Sequence, residues 1–223
     1  GGPPFSRCAV RLSGPVFVLL WSTGFVVAHY GTEDASPLTF LAIRLGIAAA
    51  VLAGVAQLSG APRPTTLQVR WSMLTGLLMH AVYLGGVFVA IDHGLPSGVG
   101  ALIAGLHPVV TSLLAGRVLG ERLARVQWVG VGLGFTGVVA VVIDRFLAHS
   151  PGVTLWPLLA SALSVLGMSA GTLIQRKRCA SVPLLWGTVV QYTASAAVLI
   201  VLAGVFERFD ITFTRRTVFA LVW

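Results

Sequence analysis

Arg44, His80, Tyr83, His107 and Gln191 all stand inside long apolar runs of this 223-residue chain. A bilayer interior offers such groups no water, so each must bond to a neighbouring helix or line a hydrated cavity. Arg44 is the most expensive, at about 3 kcal/mol or more on insertion scales, and its chemistry is to attract an anionic group. Partial snorkelling toward the interface is its alternative. His80 and Tyr83 share one helical face, and Thr188, Gln191 and Ser195 share another with Tyr192 beside it. For the His80 pair and Gln191, interhelical bonding and cavity lining stand equally open. His107 precedes Pro108 on a face with Gly100, Ala104 and Thr111, a weakly polar stripe that fits either a cavity wall with locally opened backbone or a histidine bonded to a neighbouring helix. Ser161 and Ser164 are expected to bond back to their own helix carbonyls.

Other chemistries find little support. Gly132-Leu-Gly134-Phe-Thr-Gly137 matches a dinucleotide fingerprint, but it lies mid-run without the strand that motif requires. With Gly130 it gives Gly130-x-x-x-Gly134, which is expected to be a close-packing face. Gly167-Met-Ser169-Ala-Gly171 matches a nucleophile elbow, which needs a strand-to-helix turn and not an apolar helix. The five histidines show no i, i+4 pairing, and the apolar runs carry no Asp or Glu away from their ends. A metal site, carboxylate catalysis and a carboxylate proton relay are therefore not expected, and the sole lysine, Lys177, lies in a basic connection, against a retinal protein. No cofactor is implied, and the chain does not read as an enzyme.

The elements that must position these side chains follow from composition. Apolar residues make up 56% of the chain and charged residues 10%, against about 25% charged in soluble proteins, so this is a membrane protein. Disordered, disulfide-framework and coiled-coil classes are excluded by the low charge and by a cysteine count of two. Seven runs have the length a helix needs to cross about 30 Å of hydrocarbon: Gly14 to Tyr30, Pro37 to Leu58, Trp71 to Ile91, Val99 to Leu119, Val126 to Ile143, Val153 to Ile174 and Val182 to Phe206. They are too long and evenly apolar for barrel strands. Gly46, Ala50 and Gly54 form a small-residue stripe nearly opposite Arg44, expected to pack on a neighbour.

The net charge of +8 arises from 15 Lys and Arg against 7 Asp and Glu, which punctuate the chain between runs and form no nucleic-acid patch. Ten of the 15 fall at the amino terminus and the even-numbered connections, so the positive-inside rule predicts a cytoplasmic amino terminus. Arg215 and Arg216 run against that count. Val218 opens a further apolar run, so the expectation is seven helices and the start of an eighth from a longer bundle.

Ser36-Pro37-Leu38 echoes Val182-Pro183-Leu184, each opening a long helix five spans apart. An odd-numbered repeat must be inverted in the membrane, as in many secondary transporters. The chain also resembles the drug/metabolite transporter superfamily, EamA type. The residues that carry the resemblance are GPVFVLLWSTGFVVAHYG, SPLTFLAIRLGIAAA and, above all, Gly94 to Val142, GLPSGVGALIAGLHPVVTSLLAGRVLGERLARVQWVGVGLGFTGVVAVV.

The resemblance implies an all-α polytopic membrane protein with ten helices in two inverted five-helix repeats around a central cavity. It implies a cytoplasmic segment at 1–13, a first repeat at 14–143 and part of a second at 151–223. It carries over Arg44 as a second-helix arginine, Pro108 as a fourth-helix proline and Glu121 as part of a cytoplasmic-end motif; His107 departs from the glutamine common there. The implied function is a multi-pass carrier of the bacterial cytoplasmic membrane that exports a small polar metabolite or amino acid by alternating access. The expected substrate-binding residues are Trp21, Arg44, His80, Tyr83, His107 and Gln191. The expected partners are the small-molecule substrate, the lipid bilayer and a second copy in a homodimer, with no nucleic acid. The alternative is a membrane fragment or assembly subunit with no transport activity of its own.

Overall fold

Backbone groups in lipid must be satisfied within their own segment, and the apolar runs answer this as helices. The structure, a computed structural model, describes residues 16, 18–19, 23–24, 27, 29–120, 124–148 and 154–222. Most of the expected first span lies outside them; the described positions there are helical, and this helix, α1, runs on through residues 29–33. Six helices that follow are long and apolar enough to cross a membrane: α2 (Pro37–Leu58), α3 (Thr66–Asp92), α4 (Ser97–Leu119), α5 (Arg125–Leu147), α6 (Leu155–Arg178) and α7 (Leu184–Phe206). A short helix, α8 (Arg215–Val222), closes the described chain. The protein is therefore an all-α polytopic membrane protein.

Local sequence sets the helix ends. Pro37 occupies the first turn of α2, where its missing N–H costs nothing. Thr65 and Gln68 form a capping box at the start of α3, with Thr65 N–H donating to Gln68 Oε1 at 2.9 Å. Polar capping of this kind starts α3 five residues before the apolar run does. Gly120, at φ 74°, ends α4 in the left-handed region that glycine enters freely, and Lys177 Nζ donates to the Val118 carbonyl of that last turn at 2.7 Å.

Two helices are irregular at mid-span. Residues Leu77–Val82 of α3 form a π-helical turn. In α4, Ser97–Ala104 gives way at Gly105 and Leu106 before the helix resumes as His107–Leu119, with Pro108 in its first turn. Pro108 has no N–H to donate, which explains the break.

The most extensive packing joins α2 to α7, and α3 packs on both α6 and α7. Phe40, Leu41, Leu45, Val87, Phe88, Leu199 and Ala203 are buried in this core, with Phe40 stacked on Phe88 at 5.8 Å between centroids. Gly167 and Gly171 let α6 press on the π turn of α3: a Cβ at Gly167 would lie 2.7 Å from Val82 Cγ1. The apparent nucleophile elbow is thus a packing face, and its Ser169 donates to the His107 carbonyl at 3.4 Å.

Two expected packing faces meet little among the described residues. Gly130, Gly132 and Gly137 would meet nothing within 4 Å among the described residues, and only Gly134 comes within 4 Å of a neighbour, at Val109. The reason is position, because α5 lies at the periphery and has no buried residue. On α2, Gly46 and Gly54 also meet nothing within 4 Å among the described residues, where the packed face carries Leu38, Leu41, Ala42, Leu45 and Ala49. A small-residue stripe permits close approach but does not supply the partner. Ser161 and Ser164 divide: Ser164 Oγ donates to the Ser161 carbonyl at 2.7 Å, whereas Ser161 Oγ has no hydrogen-bond partner among the described residues.

The bundle has an acidic end and a basic end, and connections from distant parts of the chain clasp each other at both. At the acidic end, Glu207 accepts the amides of Leu38 at 2.8 Å and Thr39 at 2.9 Å, together with the Thr39 hydroxyl at 2.9 Å. Ser36 stands at the N-cap of α2 but makes no side-chain cap bond, so Glu207 takes over that task from after α7. Asp34 accepts from Thr214 Oγ1 at 2.6 Å, Ser36 N–H donates to the Asp210 carbonyl at 2.9 Å, and Arg216 pairs with Glu33 at 2.9 Å. At the basic end, Trp186 Nε1 donates to the Ala61 carbonyl at 3.1 Å and Gln68 Nε2 to the Ser181 carbonyl at 3.1 Å. Arg178 also lies 5.0 Å from the centre of the Trp71 ring. The α1–α2 connection thus meets α7–α8 at one end, and α6–α7 meets α2–α3 at the other.

Candidate functional site: a cavity between α2, α3 and α7

A cavity of about 710 Å³ opens within the bundle, walled by α2, α3 and α7, with Gly24 of α1, Met168 of α6 and Leu221 of α8 on its margins. Its lining is mainly apolar: Leu41, Leu45, Val87 and Phe88 toward the acidic end, and Met79 and Met168 deeper in. Arg44, His80, Tyr83 and Tyr192 break that surface.

Helix geometry delivers each of these groups. Arg44 lies on the same face of α2 as Leu41, Ala48 and Val51, so the cavity side of α2 lies between its α7-packed face and its bare small-residue stripe. The Arg44 side chain is half-buried. Among the described residues it has no carboxylate partner. His80 sits in the π turn, an irregularity that recurs at functional sites because it re-aims side chains. Its ring meets Tyr192 edge-on, with centroids 4.8 Å apart and planes at 82°. Tyr83 is buried one turn further along.

Gln191 is buried behind this wall, 7% exposed. Gly76 brings it there: a Cβ at that position would lie 2.5 Å from Gln191 Cα, so only glycine lets α3 and α7 approach so closely. Gln191 Nε2 donates to Gln175 Oε1 at 3.1 Å. Its companions on that face, Thr188 and Ser195, bond back to the carbonyls of Leu184 and Gln191, each at 2.8 Å.

Among the sequence-expected site residues, the structure thus brings Arg44, His80 and Tyr83 to one cavity, with Gln191 directly behind His80. His107 stands apart at the contact of α4 with α6. Its Nε2 lies 3.2 Å from Thr172 Oγ1, and that hydroxyl donates to the Met168 carbonyl at 2.8 Å, which leaves its oxygen to accept from the ring. Trp21 and Glu121 lie outside the described residues. Sequence reasoning did not pick out Tyr192, Gln175 or the two methionines. Tyr192 was signalled by its place beside Gln191; Gln175 by being the last uncharged polar residue before the basic Arg176-Lys177-Arg178 run.

No group of three or more His, Cys, Asp or Glu side chains suited to a metal ion occurs among the described residues. Among the described residues the cavity offers a guanidinium, a histidine ring, two phenols and an apolar wall, which is the makeup of a binding site for a small molecule.

Residues 12–143 match the EamA-like transporter family. The chain belongs to it. Among curated relatives, this EamA-like chain is 29% identical over 147 residues to the "Uncharacterized inner membrane transporter YedA" of Escherichia coli strain K12, covering 65% of this chain and 48% of that protein. It is 27% identical over 129 residues to the "Probable amino-acid metabolite efflux pump" of the same strain, covering 57% and 40%. It is 28% identical over 130 residues to the "Uncharacterized transporter YyaM" of Bacillus subtilis strain 168, covering 56% and 42%. The EamA-like chain therefore spans under half the length of each of these relatives. A solved crystal structure superposes with a TM-score of 0.66 over 97% of this chain and 74% of the other, at 23% identity, which establishes a shared fold.

Proposed function

We propose that this EamA-like chain belongs to an inner-membrane secondary transporter that exports a small carboxylate-bearing metabolite of the amino-acid class by alternating access. The observation that carries the reading is Arg44, a cation facing an apolar and aromatic cavity without a carboxylate partner among the described residues. A guanidinium is a forked donor matched to a carboxylate, and in low dielectric that pairing is strong while its absence is costly. The aliphatic and methionine wall suits an apolar side chain, and His80, Tyr83 and Tyr192 supply further polar contacts. The relative named as a probable amino-acid metabolite efflux pump supports the substrate class.

The reading takes residues 14–143 as the first five-helix repeat and 151–223 as part of the second. The amino terminus is then cytoplasmic, which puts the basic clasp inside and the acidic clasp outside. Arg216 fits this despite its charge, because Glu33 neutralises it.

The test is efflux in inside-out membrane vesicles from cells expressing the complete natural reading frame, with radiolabelled L-leucine, L-phenylalanine, L-threonine and L-cysteine as probes. Arg44→Ala and Arg44→Lys are compared with the parent at matched membrane abundance. Arg44→Ala is expected to lower flux of the transported probe at least tenfold, with Arg44→Lys intermediate because it keeps the charge but loses the fork. Equal flux in Arg44→Ala and the parent refutes the site.

A further inference from the structure

Part of the cavity wall is a methionine laid across a glycine. Met79, in the π turn of α3, lines the cavity beside His80, and Met168 of α6 stands at its margin. One turn further along α6, on the face that Met168 shares, Gly171 is buried against α3. A Cβ added there would overlap Met79 Cγ, and it would stand 3.3 Å from Leu78 Cβ and 3.4 Å from the Met79 nitrogen. The last two belong to the α3 backbone or are fixed to it, whereas a methionine side chain turns about three bonds. The thioether is therefore what has to move. With α6 filling the space on one side of Met79, the open volume left to it is the cavity that it lines. Gly167, one turn back, works differently, because a Cβ there would meet Val82 Cγ1 at 2.7 Å and the Leu78 carbonyl oxygen at 3.0 Å, and Val82 does not line this cavity. Gly167 serves the approach of the two helices; Gly171 is a slot that keeps a thioether out of the cavity.

We infer that Met79 and Met168 form the subsite for the apolar side chain of the ligand, and that Gly171 is a positioning residue that sets the depth of that subsite by holding Met79 back. Arg44 enters the cavity from α2 and the two thioethers from where α3 meets α6, so the carboxylate and the apolar group of one ligand are received by different helices. Thioethers are polarizable and conformable, which suits a sizeable apolar group of the leucine or phenylalanine kind. The inference rests on the cavity being the binding site, as proposed above, and adds a size rule that Arg44 does not impose. Gly171 touches no ligand in this arrangement and acts only through Met79.

Size selection and side-chain placement can be read separately. In inside-out vesicles carrying the complete natural chain, L-phenylalanine and L-cysteine serve as a large and a small probe. One methylene in an apolar pocket changes discrimination by about 10–200-fold, so Gly171→Ala, which turns Met79 into the cavity, is expected to lower the phenylalanine-to-cysteine flux ratio at least fivefold. Met79→Ala removes the atom that Gly171→Ala displaces, and in that background Gly171→Ala is expected to change the ratio less than twofold. An equal loss of both fluxes in Gly171→Ala, or a ratio shift that survives Met79→Ala, overturns the depth-setting role. For placement, the same chain is labelled with methyl-¹³C methionine in lipid nanodiscs, its signals assigned by Met73→Leu, Met79→Leu and Met168→Leu. Saturating L-leucine is expected to move the Met79 and Met168 signals and to leave that of Met73, which is exposed and does not line the cavity. A Met79 signal that stays still while L-leucine is transported overturns the subsite. Met79→Ala alone is expected to raise the half-saturation concentration for L-leucine at least threefold, and an unchanged value overturns the subsite even where Gly171→Ala fails to reach the membrane. If the parent moves none of the probes, the substrate class proposed above fails, while the Met79 signal in ligand-free Gly171→Ala still decides the slot: it is expected to shift, and an unshifted signal overturns it.

Discussion

Replacing Glu207 with Ala removes the acceptor for two backbone amides at the start of α2, those of Leu38 and Thr39, and for the Thr39 hydroxyl, held at 2.8, 2.9 and 2.9 Å. Loss of an N-terminal cap costs about 0.5–2 kcal/mol, and loss of a carboxylate from the positive end of a helix dipole a further 0.3–1 kcal/mol or so. Ser36 makes no side-chain cap bond that could compensate. The Thr39 hydroxyl lies in a nearly closed environment, at 4% exposure, so stranding it adds roughly 1 kcal/mol. The expected destabilisation is therefore about 2–4 kcal/mol for Glu207→Ala. For Glu207→Gln it is about half of that, because one carbonyl oxygen survives while the new NH₂ group opposes an amide. The assay is SDS-induced unfolding of the purified protein in mixed micelles, followed by tryptophan fluorescence, with amide exchange at Leu38 and Thr39 as the local readout. A second substitution sharpens it: Thr39→Val should cost about 1 kcal/mol in the parent and close to nothing in the Glu207→Ala background, since the bond it removes is already gone. Equal stability of Glu207→Ala and the parent to within about 0.5 kcal/mol, or an unchanged cost of Thr39→Val in the two backgrounds, refutes the capping argument.

Gly76→Val should separate α3 from α7, since even a Cβ there would stand 2.5 Å from Gln191 Cα; a loss of about 1–3 kcal/mol in the same assay is expected, while Gly130→Val on the open face of α5 stays within about 0.5 kcal/mol. At the basic end, Trp186→Phe keeps a ring beneath Arg63, whose guanidinium lies 5.9 Å from the indole centre, but removes the donor to the Ala61 carbonyl. It should cost about 1 kcal/mol, visible as a lower thermal unfolding midpoint, and no change there would show that the carbonyl is satisfied otherwise.

The spans were legible because lipid imposes a single requirement of length and polarity. Pro37–Leu58 is bounded as expected, since Pro37 and the polar Ser59 coincide with the limits of the apolar run. Other helices outrun their apolar stretches: α3 begins at Thr66 because of a polar capping box, and α6 continues to Arg178 through residues that suit the interface. Arg44, His80 and Tyr83 were legible as exceptions to an apolar background. The Gln175–Gln191 hydrogen bond was not, because that contact depends on how α6 and α7 are rotated. Nor did the α4 stripe foretell that His107 would face Thr172 of α6 and not the cavity, because a helical face names neighbours along one helix only.

Glu207 caps a helix whose first amide lies 169 residues earlier in the chain. At synthesis rates of about 5–20 residues per second, α2 waits roughly 10–30 s in the membrane before the carboxylate that completes it is made. Ribosome and insertion machinery must therefore shelter an open helix end while those 169 residues are made. Assembly order is built into the fold: α2 is inserted early, finished late, and held in its final register only once the segment after α7 has arrived.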